Sequence, residues 1–180
     1  MNRNCNLGVS FVILLCAAPF FCNGHVAAGQ DKGTQRHVEK MGGFSYVPPD
    51  DWKIHEFPGL KYKIVAGPIN DAFAPNINVI DQTYKGSLED YVKLNLGQFR
   101  LLAKKFRLVD QGEFKTNTGL RGTRLVFEQE QNNKLLRQTQ FYYENAETKY
   151  VITGTTMAQG GDKLDDLFEK FAKTFRIEKP

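Results

Sequence analysis

Between Gly119 and Met157 apolar and polar residues alternate in three segments, 121–131, 135–144 and 149–157, which read as consecutive β-strands. Asn132-Asn133 separates the first two and residues 145–148 the second pair, and asparagine accepts the positive φ that a tight hairpin requires. Those loops fix a register. Glu128 faces Arg137, Glu144 faces Lys149, and Tyr143 faces Tyr150, which are cross-strand pairs of the kind that stabilise a sheet. Both faces come out mixed: Leu125 and Phe127 share one with Gln138 and Gln140, and Val126 and Phe141 share the other with Arg124 and Arg137. Such a sheet needs cover on both sides.

Two amphipathic stripes can supply that cover. Ser87 is an N-cap with Asp90 three positions on, and Leu88, Val92, Leu96, Phe99, Leu102 and Phe106 follow at helical steps. Gly97 interrupts this stripe at a cost of about 1 kcal/mol relative to alanine, so a close packing contact is expected there. Lys104, Lys105 and Arg107 fall near the expected helix end, where the dipole favours cations. The second stripe, Leu164, Leu167, Phe168, Phe171 and Phe175, follows the Gly160-Gly161 break, with Asp162 as the expected cap. Packing on a sheet is its expected use.

Upstream, 44–47 reads as a short strand stopped by Pro48-Pro49, 50–59 as irregular, 60–66 and 76–81 as strands, and 108–116 as a strand entering the alternating stretch. Short connections between the late strands imply antiparallel pairing. The fold class expected is α+β, a central antiparallel sheet flanked by helices.

The first 28 residues have the form of a secretory signal peptide: Arg3, an apolar run from Leu7 to Phe21, and small residues at Val26-Ala27-Ala28. The run is short for a membrane span. All three cysteines, Cys5, Cys16 and Cys22, lie inside it, so the mature chain is expected to lack disulfides and thiol chemistry. Leu15 and Phe21 precede Cys16 and Cys22, a poor match to a lipid-anchoring site, so free export to the periplasm or beyond is expected. Residues 29–41 read as a flexible polar leader and 42–178 as one domain. A formal charge of +4, spread along the chain, gives no argument for nucleic acid.

Several stretches resemble the Mog1/PsbP-like family and its bacterial exported members. They are FSYVPPDDW, APNINVID before SLEDYVKLNLGQF, FRLVDQGEF, GLRGTRLVFEQE, LLRQTQFYYENAETKYVITGTTM and the closing LDDLFEKFAKTFRI. The resemblance covers nearly all of 42–178. It implies an α/β/α sandwich. Its members include a photosystem subunit, a small-GTPase binder and bacterial proteins of unknown role, so it implies accessory or binding proteins rather than enzymes. It carries over no partner or metal site.

Candidate chemistry is sparse. Beyond residue 28 the serines are Ser45, in a strand, and Ser87, a cap, and the histidines are His37 and His55. No catalytic, cofactor-binding or metal-binding residue is assigned. Asp50, Asp51, His55 and Glu56 around Trp52 could hold a divalent cation, against the plainer reading of a Pro-Pro-Asp turn with solvated neighbours. Arg121, Arg124 and Arg137 with Glu128, Glu130 and Gln138 could form a docking surface, against the plainer reading of cross-strand pairs. Tyr142, Tyr143 and Tyr150 would anchor a partner if exposed. A carboxylate hydrolase through Asp81 or Asp110 is the weakest reading, since no converging pair is visible. The function expected is that of an exported, non-enzymatic accessory or binding protein of the bacterial cell envelope, engaging a protein partner. The alternative is a small-ligand or divalent-metal binder using the loop from Asp50 to Glu56 or a sheet–helix cleft.

Overall fold

Asn132 and Asn133 both adopt left-handed backbone, at φ 50° and 61°, and close the hairpin between the strands Arg121–Gln131 and Lys134–Asn145. The computed structural model describes residues 35–70 and 73–178. The expected signal peptide, all three cysteines and residues 29–34 of the expected leader lie outside the described residues. In chain order the elements are β1 (His37–Glu39), β2 (Phe44–Tyr46), β3 (Lys53–His55), β4 (Ile64–Ala66), β5 (Asn76–Thr83), α1 (Leu88–Leu102), β6 (Lys104–Lys115), β7 (Arg121–Gln131), β8 (Lys134–Asn145), β9 (Thr148–Met157), a 3-10 turn (Gly161–Leu164), α2 (Asp165–Thr174) and β10 (Arg176–Ile177).

Seven strands form an antiparallel sheet in the order β3-β4-β5-β9-β8-β7-β6, and β1, β2 and β10 form a second, small one. The late-strand register is the one the residues dictate: Glu128 opposes Arg137, Tyr143 opposes Tyr150 and Glu144 opposes Lys149. α1 lies on one face with Tyr91, Val92 and Phe99 against Leu125, Phe127, Tyr142 and Val151. α2 lies on the other with Phe168, Phe171 and Phe175 against Phe141, Tyr143, Tyr150 and Ile152, together with Phe44 and Tyr46 of the small sheet. Each phenylalanine of α2's stripe is at most 2% exposed, and burial of a side chain that size stabilises by about 1.5–3 kcal/mol. A flanked antiparallel sheet is therefore what forms, with the small sheet sharing the α2 side.

Several local expectations change. The leader is structured at His37–Glu39, because β1 pairs with β2. β3 arises inside the stretch read as irregular; three residues are too few to show a period. α1 stops at Leu102 and Ala103 turns to extended backbone, so Lys104, Lys105, Phe106 and Arg107 belong to β6. Phe106 still reaches the α1 cluster, stacking 6.1 Å from Phe99, which is why its spacing imitates the helix. The basic residues serve as cross-strand partners instead, Lys105 with Glu130 at 2.5 Å and Arg107 with Glu128 at 2.8 Å. Finally, Gly97 has no close neighbour, since a Cβ there would meet nothing within 4 Å.

Ser87 caps α1 as expected, its hydroxyl accepting from the Asp90 N–H at 3.1 Å. Asp162 does not cap α2. A 3-10 turn intervenes, started by Gly160 at φ 69°, and the capping position falls on Leu164 with no side-chain hydrogen bond.

Candidate functional site

The loop from Asp50 to Glu56 is built by backbone geometry. The Trp52 N–H donates to the Pro49 carbonyl at 3.2 Å, closing a turn with Asp51 at φ 64°. Trp52 packs edge-on against Phe168 of α2, at 6.2 Å. Asp50 and Asp51 are exposed, His55 ends β3, and Glu56 pairs with Lys63 at 3.3 Å. Among the described residues no three or more His, Cys, Asp or Glu side chains converge to hold a metal ion. Beside Asp50, Pro48 and Pro49 face Leu167, Lys170 and Phe171 of α2 across an open groove of about 470 Å³.

The charged residues of the late sheet do come together. Arg137, on the α2 side, donates two hydrogen bonds to Asp165, Nε to Oδ1 at 3.0 Å and Nη2 to Oδ2 at 2.5 Å, and its Nη1 approaches Glu128 at 3.5 Å. Glu128 also takes Arg107. Arg124 pairs with Asp110 at 2.6 Å and with Glu169 of α2 at 3.3 Å. Asp165, beside Arg137, holds that guanidinium's pKa above its ordinary value. These groups fasten α2 to the sheet. Arg121 is not part of that network; it lies opposite Lys115 of β6.

The tyrosines are core. Tyr142, Tyr143 and Tyr150 are 1%, 0% and 6% exposed. Tyr143 donates to the Ala172 carbonyl and Tyr150 to the Gly42 carbonyl. Burial pushes all three phenols up. Neither serine is placed as a nucleophile. Ser45 is buried and donates to Glu178 while accepting from Arg36, and Ser87 is the α1 cap. Asp81 is held by Lys61 at 2.8 Å.

The feature that the residue-by-residue reading missed is a buried, uncharged polar layer on the α1 side. Asn76 and Asn78 of β5, Gln138 and Gln140 of β8, and Thr153 and Thr155 of β9 share that face in register. All six are at most 5% exposed. The signal was present as three i, i+2 pairs, Asn-Ile-Asn, Gln-Thr-Gln and Thr-Gly-Thr, each projecting both polar residues to one side of its strand.

No protein-family model matches the sequence, and no curated protein matches it. Solved structures do. Cyanobacterial PsbP (CyanoP) from Synechocystis sp. PCC 6803 superposes with a TM-score of 0.59 at 14% identity, covering 86% of this chain and 98% of that one. PA94 from Pseudomonas aeruginosa, described as a protein of unknown function and putative regulator, gives 0.58 at 16% identity, covering 81% and 97%. LpqN of Mycobacterium tuberculosis, described as involved in cell envelope biogenesis, gives 0.58 at 16% identity, covering 76% and 83%. Among the described residues no helix is long and apolar enough to cross a membrane. Arrangement and superposition agree with the texture of the sequence: the fold of this chain is PsbP-like.

Proposed function

We propose that this chain is an exported, non-enzymatic accessory or binding protein of the bacterial cell envelope, with a single PsbP-like domain over residues 42–178 in an α/β/α sandwich, and that it acts by holding a protein partner. The observation that carries this reading is where the reactive groups are spent. Ser45 is tied to Glu178, Ser87 caps α1, and Arg137, Glu128 and Asp165 are closed on one another. A site for acid–base or nucleophilic chemistry needs such groups poised toward a substrate. Export is supported by the positive, apolar and small-residue regions of residues 1–28. The envelope assignment is supported by likeness to LpqN.

The test is affinity capture with tagged protein from a cross-linked envelope extract. One partner recovered reproducibly, and lost when unlabelled protein is added in excess, is the expected result. Failure to recover any such partner overturns the reading.

A second reading, a small-ligand binder using a sheet–helix cleft, is favoured by one specific observation: two asparagines on the α1 side carry buried polar atoms without partners. The divalent cation expected at the loop from Asp50 to Glu56 lacks a converging set of three ligands among the described residues. Zn²⁺ or Ca²⁺ titration watched by Trp52 fluorescence tests it, and an unchanged spectrum at millimolar metal ends it.

A further inference from the structure

Of the large hydrophobic side chains exposed among the described residues, four gather at one end of the sheet. They are Ile69, Leu101, Leu102 and Leu135, at 63%, 81%, 46% and 41% exposure. The register places them. Leu135 sits opposite Glu130 just past the Asn132-Asn133 turn, and Glu130 also sits opposite Lys104, which follows Leu101 and Leu102 at the end of α1. Lys134 lies over the Phe73 ring at 5.9 Å, and Phe73 bridges to Asn70, so the loop carrying Ile69 reaches the same hairpin. Leu135 shares the α2 side of β8 with Arg137, two positions on, whereas α1 covers the opposite side. The apolar residues therefore flank the hairpin from both faces. None of the four lines the groove beside Pro48 and Pro49, the cleft over Glu113 and Arg121, or the cleft between Met41 and Arg176. They project from a loop, a helix end and a hairpin.

Cations surround them. Arg100, Lys104, Lys105 and Lys134 are all exposed. Two carboxylates at this end are already engaged: Glu130 pairs with Lys105 at 2.5 Å, and Asp162 acts on the Arg137 guanidinium. Among the described residues Arg100, Lys104 and Lys134 form no salt bridge. A helix face turned to water ordinarily carries polar residues, so consecutive exposed leucines at the end of α1 call for a partner.

We propose that this end of the protein is a contact for an anionic membrane surface. Ile69, Leu101, Leu102 and Leu135 enter the boundary between headgroups and acyl chains, and Arg100 and the lysines meet the anionic headgroups. The inference goes beyond the binding-protein reading and holds with or without a protein partner. Residue types decide between a bilayer and a protein. Protein interfaces are enriched in aromatic residues, methionine and arginine and depleted in lysine, and leucine is under-represented among their hot spots. Here the four exposed apolar residues are all aliphatic, and three of the four cations are lysine. Apolar side chains beside lysine and arginine are what interfacial segments present to anionic lipid. Each cation near such a surface favours binding about fivefold, an effect that fades with distance and with added salt. Contact of this kind needs no spanning helix, and among the described residues there is none.

The experiment is co-sedimentation with vesicles of phosphatidylcholine alone and of equal parts phosphatidylcholine and phosphatidylglycerol. The protein is used in its exported form, since the apolar run from Leu7 to Phe21 would bind vesicles by itself. Lipid is raised to about 1 mM, which resolves a partition constant of about 10⁴ M⁻¹, the strength of one myristoyl chain. The expected result is binding at least tenfold stronger to the anionic vesicles than to the neutral ones, and weakened in about 0.5 M salt. Leu101→Ser with Leu102→Ser should weaken it at least tenfold at nearly unchanged Tm. Ile69→Ser with Leu135→Ser should do the same from the other two elements. Lys104→Gln with Lys134→Gln should weaken it about twenty-five-fold. No binding to anionic vesicles overturns the proposal, and so does equal binding to neutral ones. Binding that either apolar pair of substitutions leaves undiminished also overturns it, as adsorption of a chain of charge +4. Capture of a protein partner that both apolar pairs abolish overturns it too, by making this end a protein interface. A vesicle-negative result beside a partner that the variants still capture overturns the membrane contact and leaves the binding-protein reading standing.

Discussion

Arg137 on β8 grips Asp165 in the first turn of α2 with two parallel hydrogen bonds, at 3.0 and 2.5 Å, while its third nitrogen leans on Glu128. Asp165 is where an acidic residue suits the helix dipole, so one carboxylate serves both the helix start and its docking. The side chains are 11% and 21% exposed. Arg137→Met removes one partner and leaves Asp165 and Glu128 partly buried and uncompensated, which should cost about 2–4 kcal/mol. Thermal unfolding reads the loss, and Trp52, which packs on α2, should change its fluorescence in the native state as α2 loosens.

Two glycines should respond in opposite directions. A Cβ on Gly154 would sit 2.5 Å from the Phe168 ring, which is locked between α2 and the sheet. Gly154→Ala should therefore destabilise by about 1–3 kcal/mol through overpacking. Gly97, inside α1, has open space around its Cβ position. Gly97→Ala should stabilise by up to about 1 kcal/mol through helix propensity. Urea denaturation of the two variants checks both signs.

The Asn132-Asn133 hairpin holds two non-glycine residues at positive φ. Asn133→Gly should raise stability slightly, since glycine adopts that conformation without steric cost. Replacing both with alanine should lower it by about 1–2 kcal/mol. Hydrogen exchange of the β7 and β8 amides nearest the turn should report the same order.

Buried tyrosines make the fold sensitive to alkali. Burial pushes the Tyr91 phenol up to about 12, and those of Tyr46, Tyr142 and Tyr143 also rise. A raised folded pKa means the native state holds the proton longer than the unfolded chain. That contribution is whole below about pH 10, the unfolded value, and is lost as pH climbs through the folded one. Each such tyrosine lowers stability by up to about 1.4 kcal/mol per pH unit in that window. Chemical denaturation between pH 8 and about 11 should show the decline, and Tyr91→Phe should reduce its slope.

What was legible in the sequence was local or pairwise. Alternation placed β7, β8 and β9, and the two loops between them fixed which residues face each other, since a slip of one position would turn every side chain to the other face. Ser87 announced α1, and the phenylalanine spacing announced α2. Tertiary contacts decided the remainder. Lys104 to Arg107 carry a helix-like stripe and a dipole-matched charge pattern, yet they extend because Glu128 and Glu130 on β7 offer partners to a strand. Three-residue β1 and β3 exist only because β2 and β4 are beside them. The amide layer shows the division best. Each strand announces its own i, i+2 pair, but only the order β5-β9-β8, which sets Asn76 and Asn78 beside Thr155 and Thr153 and those beside Gln138 and Gln140, stacks the pairs into rows and leaves Asn76 and Asn78 at their unmatched end. Hydrogen-bond satisfaction belongs to neighbours across a sheet, and the chain does not write those neighbours in order.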